Sequence, residues 1–161
     1  MNHKEKIKSL DEILEIVTKA NKEGKRIVTT NGSFDLLHAG HIDLFWKAKS
    51  EGDILIVGVN SDQSVKAYKK KPSRPIIPEQ YRAEAVAAVM YVDYVFLFDD
   101  LIPNPWLDRI RPDVHANSAE YGKDCVETEV LKKYGGELFL VPKEDISIST
   151  TQIESKIKAE K

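Results

Sequence analysis

The chain has 161 residues, of which 42% are hydrophobic and 31% charged, as expected of one globular domain and not of a disordered chain. The 24 basic and 26 acidic residues leave a formal net charge of −2, which does not favour binding to nucleic acid or to an acidic membrane. The longest apolar run, residues 54–59, is too short to span a bilayer. The single cysteine, Cys125, excludes an internal disulfide. We therefore expect one cytoplasmic domain over residues 1–161.

The first predicted elements are a helix and a strand. Ser9 and Glu12 have the spacing of a capping box, and apolar residues recur behind them at helical spacing, which predicts an N-terminal helix over about residues 9–23. Residues 26–30 are rich in β-branched side chains and run into the turn pair Asn31-Gly32, which indicates a strand.

The rest of the chain alternates between apolar runs and helical patterns. Further strands are predicted over residues 54–59, 94–98, 113–115 and 138–141. Helices are predicted over residues 41–51, 79–90 and 127–134. Nearly continuous apolar runs are typical of strands covered on both faces, and alternation of strand and helix builds parallel sheets. The fold class is therefore α/β, a Rossmann-like doubly wound parallel five-stranded sheet with helices on both faces.

A basic segment, residues 66–75, interrupts this alternation. Its density of lysine and proline predicts an irregular, mobile loop that carries four lysines and one arginine. In such sheets, ligands bind beyond the carboxyl ends of the strands. We expect this loop and the loop after the first strand to lie at that edge.

The loop after the first strand carries His38-Ala39-Gly40-His41 where a helix is expected to begin. At this spacing both imidazoles face the same side. A helix start offers unpaired amides and a positive dipole end, and Gly40 would let a phosphate approach, so the motif suits a triphosphate. Taken alone, such a pair more often caps a helix, and it could also join Asp35 in a zinc site.

A second helix start is predicted at Ile148-Ser149-Thr150-Thr151-Gln152. Its hydroxyl groups could simply cap the last helix. They could also converge on an anion together with the free amides of that helix start. The combination of this segment with the histidine motif and the basic segment favours phosphate binding.

Together these motifs resemble the cytidylyltransferase-like nucleotidyltransferases, whose marks are an H-x-G-H after the first strand and an I-S-T-T-like segment opening the final helix. Within this family, residues 30–41 look like the adenylyltransferases that make ADP-heptose for lipopolysaccharide, which carry a cysteine where this chain has Ser33. The resemblance extends over essentially the whole chain through residues 59–62, 73–75, 92–95, 111–115 and 134–137.

The resemblance implies transfer of AMP from ATP to heptose 1-phosphate with release of pyrophosphate. The implied partners are a nucleoside triphosphate, ATP first, and a small phosphorylated acceptor; relatives are often homodimers. Mg²⁺ is the implied cofactor, held through phosphates and water and not by protein side chains. Glycerol-3-phosphate cytidylyltransferase and FAD synthetase of the same family stay open as alternatives, as does a nucleotide-binding regulatory module without catalysis.

The resemblance also implies a set of site residues. The catalytic residues would be His38, His41 and Lys66. The residues that bind the nucleotide and its phosphates would be Asn31, Gly32, Ser33, Phe34, Gly40, Ser149, Thr150 and Thr151. Further candidates are Asp35, Asn60, Asp62, Arg74, Arg82 and Asn117.

One segment departs from the pattern of the heptose enzymes. After a strand equivalent to residues 111–115 they continue V-K-G-G-D-Y, whereas this chain reads Ala116-Asn117-Ser118-Ala119-Glu120-Tyr121. A lysine and two glycines are thus replaced by an amide and two small residues, at a strand end that faces the expected ligand edge. We expect this segment to influence the choice of base or acceptor.

Overall fold

A computed structural model describes residues 2–69, 73–142 and 148–159. The strands are β1 (Ile27–Gly32), β2 (Ile54–Asn60), β3 (Tyr94–Phe98), β4 (Val114–Ser118) and β5 (Glu137–Val141). The helices are α1 (Leu10–Lys22), α2 (Ala39–Ser50), α3 (Asp62–Lys69), α4 (Glu79–Ala87), α5 (Asn104–Ile110), α6 (Thr128–Tyr134) and α7 (Thr150–Ala159). Among the described residues, none of these helices combines the length and the apolar character needed to cross a membrane.

The strands form one parallel sheet in the order β3-β2-β1-β4-β5. The chain first winds from β1 outward through β2 to β3, and then crosses back to build β4 and β5 on the other side. Between β1 and β4 the winding therefore reverses, which opens a crevice at the carboxyl ends of the strands. This arrangement confirms the predicted doubly wound α/β fold.

Each face of the sheet carries its own hydrophobic core. Because successive strand residues point to opposite faces, Val28 packs with α2 and α4, whereas its neighbour Ile27 packs with α1, α5 and α6. The second core includes Trp106 of α5, whose ring meets Phe96 edge-on at 5.2 Å. Helices on both faces explain why the strands read as continuous apolar runs.

The predicted N-terminal helix is confirmed, together with the cap that begins it. The Glu12 amide donates to Ser9 Oγ at 3.3 Å, and the Ser9 amide donates to Glu12 Oε2 at 2.8 Å. All five predicted strands are also present, with ends shifted by a few residues.

The prediction of an irregular loop over residues 66–75 was wrong for its first part. Residues 66–69 belong instead to helix α3, whose start is held by a hydrogen bond from the Ser64 amide to Ser61 Oγ at 3.2 Å and which buries its Val65 side chain. Residues 70–72 of that prediction lie outside the described residues. Arg74 is buried, with 3% of its surface exposed, and so does not belong to a surface loop.

Candidate functional site

A cavity of about 660 Å³ lies at the carboxyl ends of the strands, a volume typical of small-molecule sites. Its described walls are formed by the ends of β1, β2, β4 and β5, the starts of α2 and α7, and the end of α3. The cavity therefore occupies the crevice that the reversal of winding creates.

The end of β1 and the loop after it form one wall of this cavity with Asn31, Gly32, Ser33 and Phe34. Phe34 adopts a left-handed backbone with φ of 46°, a conformation that is uncommon for a residue with a bulky side chain. Its buried ring packs edge-on against His41 at 5.2 Å. A Cβ at Gly32 would lie 3.0 Å from Phe34 Cζ, so a larger residue there would push the Phe34 ring. The buried Phe34 ring thus supports the histidine motif from below.

His38 and His41 stand side by side at the start of α2. Their rings stack with centroids 3.8 Å apart and 22° between the planes. The His38 backbone amide donates to His41 Nδ1 at 3.4 Å, so a neutral His41 carries its proton on Nε2. Burial, the neighbouring His38 and Lys69 lower the pKa of His41 to about 3. His41 is therefore a neutral hydrogen-bond donor at physiological pH.

The starts of α2 and α7 converge on the cavity. A Cβ at Gly40 would lie 3.6 Å from the Ile148 carbonyl oxygen, which measures how closely the two segments approach. Ser149, Thr150 and Thr151 line the cavity, and Ser149 Oγ also accepts from the Gln152 amide at 3.3 Å. Ser149 thus caps α7 and contributes to the cavity wall. Helix starts leave amides without intrahelical partners, so two such ends facing one cavity suit a polyanion.

The two lysines of α3 differ in their relation to the cavity. Lys66 is exposed and is not among the described residues that line it. Lys69, one turn further along the helix, lines the cavity and lowers the pKa of His41. Of these two lysines, Lys69 is the one that lies at the histidine motif, and the sequence interpretation did not single it out.

Asp35 lies beneath the cavity and is 1% exposed. Its carboxylate accepts hydrogen bonds from Arg74 Nη1 at 2.7 Å and from the amides of Ile76 and Ile77, each at 2.9 Å. Burial alone would raise its pKa, but these hydrogen bonds outweigh it and hold the pKa below its usual value. Asp35 therefore ties the loop after β1 to residues 74–77. Among the described residues there is no group of three or more side chains that could hold a metal ion.

Arg82 of α4 fastens the loop after β1 from the other side. Its side chain is 1% exposed and donates to the Ser33 carbonyl, to the Ile77 carbonyl at 2.9 Å and to Asp62 Oδ1 at 2.8 Å. Neither Arg82 nor Asp62 lines the described cavity wall. Arg82 holds the Ser33 backbone, which does, and Asp62 pairs with Arg82.

Two predicted amides reach the cavity from the strands on either side of β1. Asn60, at the end of β2, donates to Ser64 Oγ at 3.0 Å, and Asn117 of β4 accepts from the Ser118 amide at 3.0 Å. In the segment that departs from the heptose-enzyme pattern, Ser118, Glu120 and Tyr121 also line the cavity. That segment therefore faces the ligand edge, as expected.

The sequence interpretation missed an apolar part of the cavity rim. Leu101, Ile102 and Pro103 follow β3, and Val126 precedes α6. Leu101 and Val126 are 61% and 52% exposed. Their only signal in the sequence is their position after a predicted strand or before a predicted helix.

Residues 29–159 match the model of the cytidylyltransferase-like family. The chain is similar to the bifunctional protein HldE of Geobacter sulfurreducens, with 41% identity over 155 residues that cover 96% of this chain and 31% of that protein. It is also similar to HldE of Methylobacillus flagellatus, with 45% identity over 138 residues that cover 85% of this chain and 28% of that protein. The chain thus spans about a third of the length of these relatives.

Two solved structures are similar as well. The lipopolysaccharide core biosynthesis protein from Thermoplasma volcanium GSS1 is 27% identical with a TM-score of 0.60, covering 75% of this chain and 98% of that one. A pantoate-beta-alanine ligase from Francisella tularensis has a TM-score of 0.64 at 16% identity, covering 94% of this chain and 76% of that one; it shows a shared fold alone. Because the family match runs from β1 to the end of α7, the chain belongs to the cytidylyltransferase-like family of nucleotidyltransferases.

Proposed function

We propose that this chain transfers AMP from ATP to heptose 1-phosphate, producing ADP-heptose and pyrophosphate. The observation that carries the proposal is the neutral His41, stacked on His38 in a cavity that two helix starts flank. The choice of heptose is supported by the resemblance of residues 30–41 to the ADP-heptose enzymes, by the HldE relatives and by the similar lipopolysaccharide core biosynthesis protein.

The reaction is an in-line substitution at the α-phosphorus of ATP. An oxygen of the acceptor phosphate attacks, a new phosphorus–oxygen bond forms, and the bond from the α-phosphorus to the oxygen bridging to the β-phosphate breaks. Pyrophosphate leaves with that electron pair. Since the attacking phosphate is already an anion, the protein needs to position it and to neutralise developing charge, and no side chain has to remove a proton.

We assign the phosphate contacts from the walls of the cavity. His41 donates from Nε2 to the transferring phosphoryl group, and His38 acts beside it. Lys69 takes the role that the resemblance gave to Lys66, because only Lys69 lines the described cavity. The β- and γ-phosphates bind at Ser149, Thr150 and Thr151, while the amides of Ser33 and Phe34 approach the α-phosphate.

Mg²⁺ fits this site when the triphosphate oxygens coordinate it. The two helix starts present amides, imidazoles and hydroxyl groups, which suit phosphate oxygens. Among the described residues, four carboxylates also line the cavity: Asp43 is paired with Lys47, and Glu120, Asp124 and Glu127 lie between β4 and α6. Mg²⁺ prefers carboxylates, phosphates and water, so the helix starts suit the phosphates and not the ion itself. When bound, the ion neutralises charge on the departing pyrophosphate. The protein contributes by holding the phosphates that hold the ion.

The proposal is tested by measuring pyrophosphate release with every pairing of ATP or CTP with heptose 1-phosphate, glycerol 3-phosphate or FMN. We expect release with ATP and heptose 1-phosphate. Release with CTP and glycerol 3-phosphate, or with ATP and FMN, would replace the proposed acceptor by that of the other family members. Binding of ATP without release for any acceptor would identify a regulatory module instead.

A further inference from the structure

The last helix, α7, contributes to the cavity although it is poorly anchored by apolar contacts. None of its residues from Thr150 to Ala159 is buried. Its start nevertheless lines the cavity with Ser149, Thr150 and Thr151. Its apolar contribution is limited to side chains such as the half-buried Ile153, so the helix also relies on a polar anchor.

A buried arginine supplies that anchor. Arg74 Nη1 binds Asp35 Oδ2 and Arg74 Nη2 binds Glu154 Oε2, both at 2.7 Å. The side chains of Arg74, Asp35 and Glu154 are 2%, 1% and 12% exposed. A planar guanidinium can hold two carboxylates at once in fixed directions, which the single ammonium group of lysine cannot do.

Further contacts hold the two carboxylates of this Asp35–Arg74–Glu154 bridge. Asp35 accepts hydrogen bonds from the Ile76 and Ile77 amides in addition to Arg74, so its position in the loop after β1 is fixed. Glu154 also binds Lys158 at 2.8 Å, but that lysine is 70% exposed. The hydrogen bonds from Lys158 and Arg74 lower the pKa of Glu154 to about 2, so the bridge is charged at physiological pH.

Helix geometry connects the bridge to the cavity. Glu154 follows Thr150 by four residues, so both lie on one face of α7, about 6 Å apart along its axis. Holding Glu154 therefore fixes the rotation of α7 about its axis and the position of its start along that axis. Arg74 itself is not among the described residues that line the cavity.

We propose that Arg74 is a positioning residue that docks α7 through Glu154 and thereby places Ser149, Thr150 and Thr151 for the terminal phosphates of the nucleotide. The identity of that ligand rests on the proposed function. The docking itself does not, because it follows from contacts within the chain.

The test compares two alanine variants at the Glu154 contacts: one removes the Glu154 carboxylate, and the other removes its exposed partner Lys158. Glu154→Ala releases α7 but leaves the buried Arg74–Asp35 pair intact, so the fold is kept. Lys158→Ala is the matched control, because it removes only the exposed partner of Glu154. Amide hydrogen exchange of the free protein and the affinity for MgATP without acceptor are measured on both.

We expect Glu154→Ala to speed exchange within α7 about tenfold, with the sheet unchanged, and to weaken MgATP binding about tenfold. Lys158→Ala should match the wild type in both. With acceptor present, Glu154→Ala should raise KM for ATP more than it lowers kcat.

Arg74→Lys gives a second, independent arm. It keeps a positive charge beside Asp35 but loses the planar guanidinium that binds two carboxylates. The amides of α7 should therefore again exchange faster than in the wild type. Adding Glu154→Ala to Arg74→Lys should cause little further change in that exchange. Equal exchange or equal MgATP affinity for Glu154→Ala and Lys158→Ala would overturn the proposal. If the wild type bound no ATP, the proposed function would fail, whereas the exchange rates alone would still decide whether Arg74 docks α7.

Discussion

The imidazole rings of His38 and His41 stack 3.8 Å apart, and the His38 amide donates to His41 Nδ1. This contact directs the proton of neutral His41 to Nε2. His41 is therefore arranged as a fixed hydrogen-bond donor and not as a general base. A donor whose proton is already placed suits a reaction in which charge builds on phosphate oxygens.

Replacing His41 by alanine should lower kcat by about two to three orders of magnitude, since a preorganised donor to the transition state is lost. The thermal midpoint of unfolding should stay close to that of the wild type, because His41 is only partly buried. Steady-state pyrophosphate release measures the effect. His3→Ala, in the short 3-10 turn at His3–Lys6, is the control and should be fully active; near-normal kcat for His41→Ala would remove the assigned role.

The two lysines of α3 allow a matched comparison. Lys69→Ala should weaken MgATP binding and turnover about tenfold or more, because a positive charge in the cavity wall is lost. Lys66→Ala should behave like the wild type, because Lys66 is exposed outside the described wall. Titration calorimetry with MgATP separates the two, and the reverse ranking would return the phosphate contact to Lys66.

Stability should fall as the solution is acidified from pH 7 to pH 5. Burial lowers the pKa of His115 to about 3, and burial with His38 and Lys69 does the same for His41. Near pH 6.5 and below, the unfolded chain therefore binds more protons than the folded one, which costs roughly 1.4 kcal/mol per pH unit and histidine. Urea unfolding at several pH values measures this slope. It should be shallower in His115→Gln, and an unchanged slope would contradict the account.

Arg82 should matter far more for stability than an exposed arginine with a similar ion pair. Arg82→Lys loses part of a buried set of contacts to Asp62 and two carbonyls and should lower the free energy of unfolding by about 2–4 kcal/mol. Arg109→Lys changes an exposed pair with Asp11 and should cost less than about 0.5 kcal/mol. Chemical denaturation measures both, and similar losses for the two variants would argue against a scaffolding role for Arg82.

The sheet could be predicted because strands buried on both faces leave continuous apolar runs in the sequence. Two helices could not. In α3 only Ser64 and Val65 are buried and two lysines follow them, so the segment resembles a surface loop. In α5, prolines at 103 and 105 conceal a short helix, although proline is compatible with a first turn.

The histidine motif and the serine-threonine segment could be found because each stands at a helix start next to a predicted strand. The partner of Asp35 could not, since Arg74 lies 39 residues away and only the fold brings the two together. The choice between Lys66 and Lys69 likewise depends on where α3 ends beside the cavity. The homodimer and the cytoplasmic location stay predictions.

The central claim is tested most directly by incubating the wild-type protein with ATP, Mg²⁺ and heptose 1-phosphate and following the phosphorus species by ³¹P NMR. We expect ADP-heptose and pyrophosphate in equal amounts, formed about two to three orders of magnitude more slowly by His41→Ala. ATP that binds but stays intact, for this acceptor and every other one in the panel, would contradict it.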